Sequence, residues 1–334
     1  MPVIAVDAMG GDRAPAAVVE GALLAARERH VAVVLVGPSQ RLHDEIARHD
    51  RGDARVDIVD APDVIGMDES PLTALRRKPG ASIRVAAELV RSGQAAALFS
   101  AGHSGATMLA VHGAFGMLAG ADRPALAVTV PTPSGEAVLL DAGANVECRP
   151  EHLVEFAHLG AAYAQVILDV SRPRVGLLSI GEEPGKGTDL IRLTHQRLLA
   201  AGASLNFIGN LEARDLFSGR ADVIVCDGFT GNIALKVGEG LVEALEQMLR
   251  EELGSALVSQ IGALLMSRAF ARLRQRVDSA EYGAAPLLGV QGLALIGHGR
   301  SSPRAIASGV ALAVRLADAG LVTRLAGALA AAHA

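Results

Sequence analysis

Short apolar runs recur along the chain, each giving way to a small-residue loop and then to helical periodicity. Residues 3–15 read VIAVDAMGGDRAP, 31–39 VAVVLVGPS, 95–110 AAALFSAGHSGATMLA and 137–150 AVLLDAGANVECRP. The pattern continues at 174–189 (RVGLLSIGEEPGKGTD), 205–217 (LNFIGNLEARDLF), 222–236 (DVIVCDGFTGNIALK) and 293–303 (LALIGHGRSSP). Apolar runs without polar alternation suit strands covered on both faces. Repeated strand, glycine loop and helix predict an α/β fold: a mainly parallel sheet with helices on both faces and right-handed crossovers. In such sheets the loops beyond the strands' C-terminal ends gather along one edge, where ligands meet helix N-termini. Loops far apart in sequence are therefore expected to share one pocket.

Two stretches depart from this pattern. In AVTVPTPSGEAVLLDAG (127–143), Pro131, Pro133 and Gly135 join two strand-like runs, which predicts a hairpin and one antiparallel excursion. A helical excursion is expected near 240–280. Within it Leu253, Leu257, Ile261, Leu264 and Leu265 share one helical face, and Met266, Phe270, Leu273 and Val277 resume the spacing after a break. Residues 253–277 carry Arg268, Arg272, Arg274 and Arg276 and no acid. Such a stretch either lies on an anionic membrane, docks a partner, or buries its apolar face in the fold or a dimer interface. No linker, low-complexity segment or repeat divides the chain, so residues 1–334 are expected to form one α/β/α catalytic unit.

Composition narrows the function. Half of the 334 residues are hydrophobic but only 3% are aromatic, so the core must be built from Ala, Val, Leu and Ile. A net charge of −5 argues against a general nucleic-acid binder. Cys148 and Cys226 are too few for a disulfide framework, which fits a reducing cytoplasm. No apolar run is long enough to span a bilayer, and no signal-peptide pattern opens the sequence. Among 31 Lys and Arg residues only Lys78, Lys186 and Lys236 are lysines. Where arginine serves almost everywhere else, a retained lysine marks a need for a compact, mobile point charge.

Lys186 lies in GEEPGKGTD (181–189), between Gly185 and Gly187. This is not an ATP-binding P-loop, because Gly181 stands too close to Gly185 and a glycine, not Ser or Thr, follows the lysine. A G-x-G-x-x-G fingerprint is absent, which argues against a nicotinamide cofactor. A mobile lysine in a permissive backbone suits one small anion. Asn210 lies in the next loop. In CDGFTGN (226–232), Gly228 and Gly231 let backbone N–H groups approach an anion, and Asn232 offers a side-chain N–H. Asp227 either caps the turn or holds Lys186. In VDAMGGDRAP (6–15), Asp7, Gly10 and Gly11 form either a tight strand-to-helix turn or a binding loop. Gly102-His103-Ser104-Gly105-Ala106 is one methyl away from the G-x-S-x-G elbow of serine hydrolases, with Asp227 and His298 in a permissible chain order for a triad. The alternative is a further anion-binding helix N-terminus. His152, Glu155 and His158 do not have H-E-x-x-H spacing, so no metal and no cofactor is expected.

Taken in order, IAVDAMGGDRAP, DESPLTALRRKPGASI, SAGHSGA, DAGAN, IGEEPGKG, NLEARDLFSG, CDGFTGNIALK, YGAAPLLGVQGL and IGHGRS resemble the bacterial phosphate acyltransferases of the PlsX type across nearly the whole chain. The resemblance implies a fold similar to phosphotransacetylases and isocitrate-type dehydrogenases, and a homodimer. It implies transfer of a long acyl chain from acyl carrier protein to inorganic phosphate, the acyl phosphate feeding phospholipid synthesis. It points to Lys186 and Asn232 as catalytic. Where the family usually has S-A-G-N-T-G-A, this chain has His103 in place of the amide and keeps a hydroxyl at Ser104.

Phosphate is already an oxygen nucleophile and a thioester is already activated. The enzyme therefore needs to align two reactants and stabilise a tetrahedral oxyanion. Lys186 and glycine-loop amides are expected to hold phosphate, and Asn232 to polarise the thioester carbonyl. Glu182 and Glu183 either keep Lys186 charged and positioned or face solvent. Arg76, Arg77, Lys78, Arg268 and Arg272 are expected to dock the acidic carrier protein. Leu264, Leu265 and Phe270 are expected to contact the acyl chain or a membrane surface, where a downstream membrane acyltransferase is a further expected partner.

Overall fold

The computed structural model describes residues 2–66, 68–277 and 284–332. The chain opens β1 (Val3–Asp7), α1 (Ala16–Glu28), β2 (Ala32–Gly37), α2 (Ser39–Ile46) and β3 (Val56–Asp60). It continues α3 (Pro71–Arg77), α4 (Ser82–Arg91), β4 (Ala97–Ser100), α5 (Ser104–Phe115), β5 (Ala125–Leu126), β6 (Val128–Thr132) and β7 (Gly135–Leu140). Next come α6 (Pro150–Ile167), β8 (Arg174–Leu178), α7 (Asp189–Ala200), β9 (Asn206–Leu211), β10 (Val223–Val225) and α8 (Gly228–Gly254). The last elements are α9 (Leu257–Leu265), α10 (Ser267–Val277), β11 (Ala285–Leu288), β12 (Ala294–Ile296), α11 (Pro303–Asp318) and α12 (Leu321–Ala332).

These strands divide between two sheets, a separation that periodicity could not show. The first has the order β3-β2-β1-β4-β12-β11-β5 and the second β6-β7-β10-β8-β9. Strands β1 to β4 and β12 pair in parallel, as do β7, β10, β8 and β9. The expected hairpin is β6–β7, antiparallel from Val128↔Leu139 to Thr132↔Gly135.

Period-two alternation explains how both faces are covered. Ile4 and Val6 point into a core shared with Val19 and Leu23 of α1 and Val310 of α11. Ala5, between them, points into a second cluster with Ile83 and Ala86 of α4 and Val111 of α5. In the second sheet Val138, Leu140, Val175 and Val223 face Phe156, Leu159 and Tyr163 of α6. Their neighbours Ala137, Leu139 and Ile224 face the opposite way, towards Leu216 and Ala234. The first core runs unbroken through both sheets by way of α6 and α12.

Caps define where helices begin. Ser302 accepts from Ala305 N (3.1 Å) ahead of Pro303, and Asp227 accepts from Thr230 N (2.9 Å) at the start of α8. The expected excursion is α8 to α10. Only Gly228 and Gly231 of α8 are buried. Beyond its first turns an apolar stripe lies open: Ile233, Val237, Leu241, Leu245 and Met248. The helix pair after it breaks at Met266, as its spacing suggests. Among the described residues no single helix is long and apolar enough to cross a membrane.

Candidate active site

Parallel register decides which loops meet. Asp7 stands beside Ser100, which in turn stands beside Ile296, so the loops after β1, β4 and β12 leave one edge together. Val225 stands beside both Leu140 and Leu177, which aligns the loops after β7, β8 and β10.

At the first edge Asp7 is a buried organiser. Its carboxylate accepts from Ser100 Oγ (2.7 Å) and Met9 N (3.3 Å), and Ser100 Oγ accepts from Gly102 N (3.1 Å). Burial pushes the Asp7 carboxyl pKa up from 3.8, with hydrogen bonds from Ser82, Ser100 and the Met9 and Gly10 amides opposing. A Cβ on Gly10 would come within 2.7 Å of both Asp7 Oδ2 and Gly102 N, so the two glycine loops touch through bare backbone. Gly11, at φ +116°, lies under the β12 loop, where Gly299 O accepts from Asp12 N (2.9 Å). The loop makes the tight strand-to-helix turn expected of it.

His103 caps α5: its Nδ1 accepts from Gly105 N at 3.1 Å. An amide oxygen at this position would serve the same purpose, so the imidazole keeps the cap that an asparagine would supply. Ser104 is exposed at the first turn. The serine-hydrolase triad is not assembled. Asp227 is occupied by Thr230 N and by Thr230 Oγ1 (2.8 Å), and exposed His298 accepts from Arg300 N (3.2 Å). No hydrogen bond joins Ser104 to either residue among the described residues.

The second edge is built around Asp141, which is fully buried. It accepts from the backbone N–H of Leu126, Gly143, Ala144 and Asn145 and from Asn145 Nδ2, at 2.7–3.1 Å. Leu126 belongs to the first sheet, and Asn145 Nδ2 also reaches Pro124 O (2.7 Å). The DAGAN loop therefore sits at the junction of the two sheets. The start of α8 packs onto it: Gly228 N donates to Asn145 O (2.7 Å), and a Cβ on Gly231 would lie 1.9 Å from Asp141 O. The expectation that Gly228 and Gly231 let N–H groups approach an anion meets two amides already engaged within the protein. Gly228 N is taken by Asn145, and Gly231 N donates to Asp227 O (2.9 Å). Their glycine character serves close backbone approach. Asn232 stays exposed, its side chain lying over Gly143 (φ +134°), whose added Cβ would be 3.5 Å from Asn232 Cγ.

The Lys186 loop follows β8 and is tethered at several points. Asn210 Nδ2 donates to Glu183 O (3.0 Å), Arg192 Nη1 donates to Gly187 O (2.8 Å), and Arg220 Nη1 pairs with Glu182 Oε1 (2.6 Å). Arg220 also reaches buried Asp215 (3.1 Å). Glu182 thus belongs to Arg220, not to Lys186. The Lys186 stem and the Glu183 carboxylate both lie over Gly181. Gly187 takes φ +95°, a turn that only glycine adopts freely. Lys186 is exposed, and its Nζ makes no ion pair among the described residues. Ser179 Oγ, at the base of the loop, is buried without a hydrogen-bond partner.

Other expected positions fall outside this region. Lys78 turns inward, donating to Glu69 Oε1 (2.5 Å) and Val64 O (2.6 Å), which corrects its place in a docking surface. Asn210 is buried with both amide ends engaged, so it braces the loop instead of facing an anion. Lys236 pairs with Glu239 (2.8 Å) on a solvated face. Arg76, Arg77, Arg268 and Arg272 are exposed, Phe270 is half-buried, and Leu264 and Leu265 are 75% and 81% exposed. The side chains of Leu257, Ile261, Leu273, Arg274, Arg276 and Val277 lie outside the described residues. Sequence reasoning missed Arg192, His195 and Arg220. Nothing local marks Arg220 as the partner of a glutamate 38 residues away.

A family model described as "Fatty acid synthesis protein" matches residues 3–324. The phosphate acyltransferase of Nitratidesulfovibrio vulgaris is 48% identical over 316 residues, covering 95% of this chain and 91% of that one. That of Heliobacterium modesticaldum is 50% identical over 311 residues, covering 93% and 92%. Among solved structures, a phosphotransacetylase from Streptococcus pyogenes superposes with a TM-score of 0.62 at 17% identity, covering 94% of each chain. The EutD phosphotransacetylase of Staphylococcus aureus gives 0.61 at 15%, covering 95% and 94%; these two likenesses concern the fold alone. With its nine loop motifs set in a phosphotransacetylase-like α/β fold, the chain belongs to the phosphate acyltransferase family of the PlsX type and is an acyltransferase.

Proposed function

We propose that this enzyme moves a long acyl group from acyl carrier protein to inorganic phosphate, by direct attack of phosphate on the thioester, and that the acyl phosphate serves phospholipid synthesis. A phosphate oxygen bonds to the thioester carbonyl carbon, the C–S bond breaks, and the carrier-protein thiolate leaves and is protonated. The observation that carries the reading is Lys186: an exposed ammonium with no ion pair among the described residues, in a loop whose Glu182 is paired with Arg220. Lys186, exposed on its loop, holds the phosphate. Asn232, held over Gly143 on the rigid DAGAN loop, polarises the carbonyl and meets the oxyanion. Neither an enzyme nucleophile nor a resident cofactor is required by this chemistry.

The deciding experiment incubates the enzyme with palmitoyl carrier protein and phosphate and follows products by mass spectrometry. Acyl phosphate is expected, and none without phosphate. An obligatory acylated side chain overturns the reading, as does normal turnover by folded Asn232→Ala. The serine-hydrolase alternative predicts covalent labelling of Ser104 by a fluorophosphonate, and the separate commitments of Asp227 and His298 speak against it.

Residues 1–334 act as one catalytic unit, supported by the core shared between the sheets. A homodimer is supported by the open stripe on α8, and Leu241→Glu with Leu245→Glu is expected to yield monomers in sedimentation. Leu264 and Leu265 touch a membrane surface near a downstream membrane acyltransferase; liposome flotation unchanged by Leu264→Glu would retire this. Exposed Arg76, Arg77, Arg268 and Arg272 dock the acidic carrier protein, so the Michaelis constant for that substrate rises with salt.

A further inference from the structure

We propose that His195 and Asn210 form a buried positioning pair that sets the turn presenting Lys186. The pair sits on α7 and β9 and reaches the loop only through its backbone. Its point of action is one carbonyl. Glu183 O accepts from Lys186 N at 3.0 Å, closing the turn, and from Asn210 Nδ2 at 3.0 Å, fixing that turn to β9. A carbonyl can only accept, so the amide of Asn210 must direct its nitrogen there. Its Oδ1 therefore faces His195, and His195 Nδ1, 2.8 Å away, must carry the donated hydrogen. The imidazole thereby locks the amide against flipping. Both side chains are almost fully buried, at 4% and 3% exposure, and Phe207 meets the imidazole edge-on with ring centroids 5.2 Å apart. Unpaired, either polar group would be stranded away from water, so the arrangement is strongly preferred over its alternatives.

This geometry makes the two residues a brace, not ligands. A loop with three glycines has many accessible turns, and only those with Lys186 correctly aimed bind phosphate productively. Apparent affinity falls by the fraction of loops in the competent turn. The inference rests on the reading that Lys186 holds phosphate, and the test separates the two. His195→Phe keeps ring volume and loses the donor; Asn210→Leu loses both amide ends; His195→Asn restores an N–H near the Nδ1 position. Hydrogen exchange at residues 183–187 is measured together with Michaelis constants for phosphate and for the acyl donor. In His195→Phe and Asn210→Leu, exchange is expected to quicken and the phosphate constant to rise roughly five- to tenfold. The donor constant should stay within about twofold, and His195→Asn should recover most of both effects. Unchanged exchange in both variants, or equal rises in the two constants, overturns the proposal. Lys186→Ala is the separate arm: an unaltered phosphate constant there removes the functional reading of Lys186, and the brace is then judged by exchange alone.

Discussion

The DAGAN loop and the Lys186 loop leave the same edge of the second sheet, and both combine glycines with carboxylates. They use these residues to opposite ends. In the first, Asp141 is fully buried and draws five N–H groups onto itself, while Gly228 and Gly231 let α8 close over it. In the second, Glu182 is half exposed and bound to Arg220, the backbone is held from outside at Glu183 and Gly187, and the lysine is left open. A carboxylate inside a ring of amides makes a rigid floor. A carboxylate neutralised by an arginine leaves a neighbouring cation free for a ligand. On the function proposed here, catalysis by alignment uses both: a floor to fix Asn232 and a mobile charge to bring phosphate to it.

The sharpest break of that comparison is Lys186→Ala. Loss of a preorganised charge at the reacting anion is expected to lower turnover about 10²- to 10³-fold, with the thermal midpoint unchanged. Steady-state kinetics beside a melting curve check this, and a shifted midpoint would make the loop part of the scaffold after all. Gly231→Ala should do the reverse. Its Cβ has backbone 1.9 Å away, so overpacking of about 1–3 kcal/mol or more is expected, read as a lower urea midpoint.

Arg220→Ala tests the weaker tether. The Glu182 pair is nearly half exposed on both sides, and such pairs contribute at most about 1 kcal/mol, while loss of the contact to buried Asp215 adds a stability cost read in a melting curve. A modest rise in the Michaelis constant for phosphate is expected, smaller than that caused by Lys186→Ala. An equal rise would mean that Arg220 itself binds the anion.

Asp7→Asn gives the smallest effect and tests the first edge. The buried Asp7 carboxyl has a raised pKa in the folded state, so folding favours its protonated form. Its stability contribution therefore declines as pH rises from the unfolded value of 3.8 through the folded one. The difference in unfolding free energy between Asp7→Asn and the parent should be greatest near neutrality and narrow as pH falls towards 4. Urea titrations across that range measure it, and a constant gap would show that Asp7 has its ordinary pKa.

The sequence alone determined the α/β class, the β6–β7 hairpin, the helical excursion and the family to which the loop motifs belong. These depend on local rules: apolar runs, turn residues, capping signals and motif spacing. Lysine scarcity singled out three positions, and the structure pairs two of them, Lys78 and Lys236, with glutamates while Lys186 stays exposed. Only the tertiary structure decided what each loop residue touches. It divided the strands into two sheets, gave Glu182 to Arg220, engaged Asn210, Lys78 and the amides of Gly228 and Gly231 in hydrogen bonds within the protein, and paired His195 with Asn210. The physical reason is that strand register and close backbone approach choose partners between segments far apart in the chain. A hydrogen bond between residues 182 and 220 leaves no mark on the pattern around either one.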